Sequence, residues 1–231
     1  MSKVFIGVGH GGTDPGAVAN GLKEKNLNLV IASACADVLL SHGVEIKMSR
    51  KKDENDTLKS EVKECNAFNP DYAIDIHINA YDGKADGAEA FYHYKGGKSK
   101  TLAENVLDEI KAIGQNSRGA KSKKNIFGKD YYGFIRDTKA PAVIVECAFI
   151  DNKTDIKIID TAAEQKKMGV AIAKGILKTL GITYKEPKAE QVADQKTIYR
   201  VQVGAYTVKA NAEKVVKELK KAGFSGVIVK G

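Results

Sequence analysis

The sequence predicts an α/β protein: a mostly parallel twisted sheet with helices on both faces, followed by a small C-terminal strand–helix–strand unit. Three observations carry this expectation. Short apolar runs alternate with segments of helical period through residues 1–184. The run AVIVECAFI (142–150) is apolar on both sides apart from one glutamate, as a strand covered on both faces must be. A polar, proline-containing stretch, KEPKAEQVADQK (185–196), reads as a linker before a separate unit at 197–231.

Taken in order, Val4, Phe5, Ile6 and Val8 form a short buried strand that breaks at glycines, with His10 at the break. Leu27, Val30, Ile31, Ala34 and Val38 recur at helical spacing and Gly43 follows, which predicts a helix over 24–41. Val44–Met48 reads as a strand, Thr57–Phe68 as a helix, Tyr72–Ile78 as a strand and Gly87–Tyr94 as another. Residues 99–113 form a helix with Leu102, Val106, Leu107 and Ile110 inward, and 114–130 a loop. After the 142–150 strand come a short helix at 153–160 and a longer one at 162–180, stopped by Gly181. In the tail, Tyr199, Val201, Val203 and Ala205 alternate as a strand; Ala212, Val215, Val216 and Leu219 repeat as a helix; Gly223 caps it and GVIVK closes with a strand.

Composition is that of an ordinary folded protein, and no stretch approaches the roughly 20 apolar residues of a membrane span. The chain enters its first strand without a charged region, apolar run and cleavage site, so synthesis in the cytoplasm without a signal peptide is expected. Three cysteines, Cys35, Cys65 and Cys147, lack paired metal-type spacing and read as buried, reduced thiols. Of the net charge of +8, residues 185–231 carry +5, with 10 basic against 5 acidic side chains. The tail therefore suits a polyanionic partner.

In an alternating strand–helix sheet the strand ends and helix starts meet at one edge, where ligand sites collect. His10 and His77 end the first and third strands, Glu146 lies near the end of AVIVE, and Glu24 opens the first helix on its core-facing stripe. Unpaired buried carboxylates are costly, and a cation offsets that cost. His10, Glu24 and His77 form a two-histidine, one-carboxylate set that suits a catalytic zinc with an open fourth position; Glu146 is left over as a proton carrier.

GHGGTDPGA (9–17), Glu24, HINA (77–80) and PAVIVECAFIDN (141–152) resemble the zinc-dependent N-acetylmuramoyl-L-alanine amidase family of the amidase-3 type, over essentially all of 1–180. The resemblance implies His10, Glu24 and His77 as zinc ligands and Glu146 as the catalytic carboxylate. It also implies cleavage of the amide between N-acetylmuramic acid and L-alanine in peptidoglycan. Asp75 stands where family members commonly carry serine; it either orients a ligand or is a surface carboxylate. Asn79, Arg118 and Lys121 are candidate substrate-binding residues, the last two in a basic run (118–129) that otherwise reads as a solvated loop. Arg136 and Asn152 match family positions and serve equally well as loop braces.

Rival readings are weaker. Gly7, Gly9 and Gly12 fit a dinucleotide pattern, but that pattern needs a helix at once and an acid after the second strand, where this chain has Ser49 and Arg50. Cys147 as a nucleophile would point to the face opposite Glu146. A catalytically inactive wall-binding protein would not need the four-residue set. Other zinc peptidoglycan hydrolases remain an alternative. His42 and His93 need no function.

YRVQVGAYTVKANAEKVVKELKKAGFSGVIVK (199–230) resembles the first half of a SPOR repeat, a peptidoglycan-binding family. A unit of 35 residues is below the size that usually folds alone, so pairing of two tails into a homodimer, or docking on the catalytic domain, is expected. The partner implied is peptidoglycan, with no nucleic acid and no membrane. Release at lysis, as a phage or prophage endolysin or an autolysin, is the expected route to the wall.

Overall fold

The computed structural model describes residues 1–186, 203–224 and 226–228. Its contacts divide the chain into two units, Met1–Lys185 and Glu186–Gly231. The first runs β1 (Lys3–Val8), a small hairpin of β2 (Val18–Ala19) and β3 (Leu22–Lys23), α1 (Glu24–Ser41), β4 (Glu45–Met48), α2 (Leu58–Phe68), β5 (Tyr72–Asn79), β6 (Ala88–Tyr92), α3 (Lys98–Ala112), β7 (Ser117–Lys121), α4 (Gly133–Asp137) and β8 (Ala142–Phe149). A 3-10 turn (Asp155–Ile158) and α5 (Ala162–Leu180) close it.

Six strands form one sheet in the order β4-β1-β5-β8-β6-β7. All neighbours are parallel except β6 and β8, so β6 and β7 run against the other four. The expected α/β class, with a mostly parallel sheet, is what the chain adopts.

Strand alternation sorts the side chains into two layers. Val4, Ile6 and Val8, Ile74, Ile76 and Ile78, and Val143, Val145 and Cys147 pack in one large core with Leu27, Ile31, Val106, Met168 and Ile172 of α1, α3 and α5. Phe5, Ala73, Ile144 and Phe91 form a smaller core on the other face with Cys65 of α2 and Phe134 and Ile135 of α4. Asp75, His77, Asn79, Glu89 and Glu146 share this second, thinly covered face. The sheet thus carries its polar residues where α2 and α4 leave it open.

Helix starts follow their caps: Thr57 accepts from Ser60 N at the start of α2, and Thr161 with Glu164 forms a capping box on α5. Gly181 ends α5 in the left-handed region. Differences from the sequence expectation fall on short polar pieces. Ser117–Lys121, expected within a loop, is edge strand β7. Its residues SRGAK show no apolar alternation, because an edge strand can be held by pairing with a single neighbour. The hairpin β2–β3 and the five-residue α4 are too short to leave a period.

In the second unit, α6 (Lys209–Lys221) forms as expected. Of the two expected flanking strands, residues 199–202 and 229–230 lie outside the described residues, and 203–205 and 226–228 have no regular structure. Among the described residues no helix is long and apolar enough to cross a membrane.

Candidate metal centre and active site

His10 is presented by an unusual backbone: its φ is 62°, a left-handed conformation that costs a non-glycine residue roughly 1 kcal/mol. A buried arginine holds it there. Arg50, 2% exposed, donates to the carbonyls of Val8 (3.0 Å), Gly9 (3.2 Å) and Lys25 (2.7 Å). Asn28 Nδ2 also donates to Gly9 O at 3.0 Å. The end of β1, the segment just beyond β4 and the first turn of α1 are thereby fixed together. Gly9 is required by its neighbour, since a Cβ there would lie 2.3 Å from His77 Cε1.

Glu24 opens α1 and is 3% exposed. Its Oε1 accepts from Ile78 N (3.0 Å) and its Oε2 from Ala17 N (2.9 Å). The same two oxygens face His77 Nδ1 at 3.0 Å and His10 Nε2 at 3.2 Å. Each imidazole is gripped from behind by a second carboxylate: His10 Nδ1 lies 2.8 Å from Asp14 Oδ2, and His77 Nε2 lies 3.0 Å from Asp75 Oδ2. The rings sit 5.1 Å apart, nearly perpendicular. One donor atom from each of His10, Glu24 and His77 falls within 4.8 Å of the others.

This cluster seeks positive charge. Burial opposes ionisation of Glu24, but hydrogen bonds from His10 and His77 hold its carboxyl well below the usual carboxylate range. The Glu24 hydrogen bond raises His10. Burial lowers His77, yet Asp75 and Glu24 outweigh it and hold it well above its ordinary value. A cation bound among the three would take over the role of those protons.

Glu146 on β8 is the register partner of His77 on β5 and, on its other side, of Glu89 on β6. Burial pushes its carboxyl up to about 7; His77 opposes the shift, and Glu24, Asp75 and Glu89 add to it. Asn79, Arg118 and Lys121 are also brought together. Asn79 Nδ2 donates to Glu89 Oε1 at 3.0 Å, and Arg118 Nε to Oε2 at 2.9 Å, an oxygen that Lys121 also engages. The Arg118 guanidinium lies 5.2 Å over the Phe149 ring. Two cations on one buried carboxylate leave a positive excess facing water.

The family model described as N-acetylmuramoyl-L-alanine amidase, Amidase_3, matches residues 4–178. The chain belongs to this family. The amidase is 29% identical to N-acetylmuramoyl-L-alanine amidase CwlM of Bacillus licheniformis over 233 residues, covering 99% of this chain and 85% of that one. It is 32% identical to the endolysin of Bacillus phage SPP1, covering 82% of this chain and 72% of the phage protein. The catalytic domain of CwlV, the N-acetylmuramoyl-L-alanine amidase of Bacillus (Paenibacillus) polymyxa var. colistinus, superimposes with a TM-score of 0.72 at 26% identity, covering 78% of this chain and all of that one. A second family model, the SPOR domain, matches residues 171–230, beginning inside α5 and so extending beyond the stretch read as half a repeat.

Three residues that hold the amidase site together leave no motif in the sequence: Asp14, Glu89 and the clamp Arg50. Glu89 did leave a signal, since it shares strand parity with buried Phe91. Asp75 resolves as a buried partner of His77. Arg136 braces the Asp130 and Tyr131 carbonyls, and Asn152 those of Lys84 and Ala85. His93, expected on an exposed strand, lies just past β6 and pairs with buried Asp130. His42 caps α1 and accepts from Lys185 N. Cys147 is sealed in the larger core and its thiol is pushed far up by burial.

Proposed function

We propose that the amidase is zinc-dependent and hydrolyses the amide joining N-acetylmuramic acid to L-alanine of the stem peptide, with His10, Glu24 and His77 holding the metal and Glu146 carrying the proton. The observation that supports it most is the donor set. Two neutral-capable imidazoles and one carboxylate converge within 4.8 Å, and each imidazole has its outer nitrogen occupied by a carboxylate, Asp14 or Asp75. That pattern orients histidine ligands towards a metal, and the set matches zinc chemistry. When bound, zinc supplies a Lewis acid that works at neutral pH.

The chain's own groups do the rest. Glu146, poised near neutrality, accepts the proton of the attacking water and delivers it to the departing L-alanine nitrogen. Asn79, Arg118 and Lys121, gathered on Glu89, offer hydrogen-bond donors and positive charge to carboxylates of the stem peptide.

The reading divides the chain into a catalytic domain (1–184), a linker (185–196) and a wall-binding unit (197–231), supported by the SPOR match and the basic tail. It includes synthesis in the cytoplasm and release to the wall at lysis, supported by similarity to a phage endolysin. Pairing of two tails would make a homodimer; light scattering of the full chain at twice the monomer mass is the expected result, and a monomer rejects it.

The deciding experiment incubates the purified protein with wall sacculi, with and without a chelator. New L-alanine amino termini without new reducing sugars, lost on chelation and restored by zinc, are expected. Reducing ends would indicate a glycosidase, and amines of other residues a peptidase.

A further inference from the structure

A cavity of about 610 Å³ opens beyond the end of β6, lined in part by Tyr94, Asn125, Phe127, Lys129, Asp130 and Arg136. It is separate from the metal centre. Glu89 opposes Glu146 at one end of β6 and Tyr92 opposes Val143 at the other, so the cavity lies about 10 Å or more along the strand from Glu146. The strip between is aromatic: Phe91 shares the face of Glu89, its ring packs on Tyr132 at 4.7 Å, and Tyr132 meets the exposed Tyr131 at 5.1 Å.

Specific bonds hold the walls. Asp130, 3% exposed, accepts from Tyr94 N at 2.8 Å and faces His93 Nε2 at 3.0 Å. Asn125 Oδ1 accepts from Phe127 N (2.9 Å) and Lys129 N (3.1 Å), and Asn125 N donates to Lys129 O (2.8 Å), which closes a tight loop with Phe127 exposed at its tip. The acids at the cavity are spent, Asp130 as described and Asp137 on Arg136 at 2.9 Å. The lysines are not. Lys129 lines the cavity, Lys124 Nζ lies 4.4 Å over the Tyr94 ring, and Lys123 Nζ lies 3.9 Å over the Tyr131 ring. Among the described residues none of the three has an acidic partner. Aromatic faces flanked by unmatched cations suit an organic anion.

We propose that this cavity is a subsite for the far end of the stem peptide, with Lys124 and Lys129 receiving its C-terminal carboxylate and Tyr94 and Phe127 packing against its last residues. The inference rests on the amidase reading, which puts the scissile L-alanine amide beside Glu146. An extended peptide covers at most about 3.6 Å per residue, so a stem of two residues stops short of the cavity and a stem of four reaches it. Arg118 and Lys121, gathered on Glu89, then serve the near end of the stem, and the lysines of the 122–130 loop serve the far end.

The test uses the full chain, supplied with zinc, and two synthetic substrates: N-acetylmuramic acid carrying a stem of two or of four residues. Release of L-alanine amino termini gives kcat/KM for each, and the ratio of long stem to short stem is the readout. That ratio should be about 10 in wild type and fall to about 1 in the double variant K124A/K129A, the scale of a hydrogen bond to a charged group. Amidating the C-terminal carboxylate of the long stem should produce the same fall in wild type. A wild-type ratio near one, a ratio that the double variant leaves unmoved, or equal use of free and amidated long stems would each overturn the proposal. An equal loss on both substrates would put the glycan in the cavity in place of the stem. Cleavage of neither substrate by wild type would reject the amidase reading, and calorimetric titration with the free four-residue stem would still decide the subsite. Wild type should bind that peptide about 10-fold more tightly than K124A/K129A, and equal binding overturns the assignment.

Discussion

Glu89 and Glu146 stand opposite each other across the antiparallel pair β6 and β8, on one face of the sheet, in opposite electrostatic settings. Glu89 carries Arg118 and Lys121. Among the described residues no lysine or arginine pairs with Glu146, and burial, opposed by His77, lifts it to about 7. Neighbouring carboxylates with separated environments are suited to separate tasks, one holding charge and one moving a proton.

The first consequence concerns Glu146. E146Q should lower kcat by about 100-fold or more, the usual contribution of a positioned proton carrier. Zinc affinity should stay at the wild-type value, because the side chain lies beside the donor set and not within it. Turnover on sacculi and chelator competition read the two quantities separately.

The same carboxyl sets a pH dependence of stability. Its folded value is about 7 against an ordinary 4.5, so the unfolded chain ionises first as pH rises. The stability linked to it is intact below about 4.5 and is lost as pH rises through about 7. Urea unfolding of the metal-free protein across this window should show that loss, and the difference between wild type and E146Q should isolate it. A flat difference would reject the shift.

Arg118 and Lys121 face the stem peptide in the proposed mode. R118A and K121A should each raise KM about 10-fold, the scale of one hydrogen bond to a charged group, with a smaller effect on kcat. Substrates with amidated stem-peptide carboxylates should lose most of this discrimination.

Gly9 leaves the room that the His77 ring fills. G9A would put a methyl 2.3 Å from that ring. Zinc affinity should fall by about 100-fold or more, with a cost to stability of about 1–3 kcal/mol from overpacking. Isothermal titration with zinc and thermal unfolding measure both.

C147A should retain wild-type kcat, because the thiol lies in the sealed core on the opposite face from Glu146. Loss of activity in C147A together with a fully active E146A would replace the proposed mechanism with a cysteine one.

Much of the fold and the central set of residues is legible in the sequence for one physical reason: burial writes a period. α1 and α5 end where the apolar stripe ends, at Ser41 and Leu180. His10, His77 and Glu146 stand out because a polar residue interrupts an apolar strand near its end. What stays hidden is held by polar contacts between distant segments. Glu61 sits on α2 among KSEVKEC, where an acid on a helix ordinarily faces water, yet it is buried because Gly7 beneath it has no side chain to fill that space. Arg50 reads in sequence as one more basic residue after a strand, because its partners are carbonyls that every residue has. β7 leaves no trace, since an edge strand needs neither alternation nor an apolar face.

Arg50 grips Val8, Gly9 and Lys25 entirely through their carbonyl oxygens. A clamp of that kind is indifferent to which side chains the gripped residues carry. The clamp itself therefore sets the spacing between His10 and Glu24 through backbone alone, and the demand for glycine at position 9 comes from the His77 ring instead. In the proposed mode, adaptation to walls of different chemistry proceeds around Arg118 and Lys121 without rebuilding the cradle that holds His10 and Glu24.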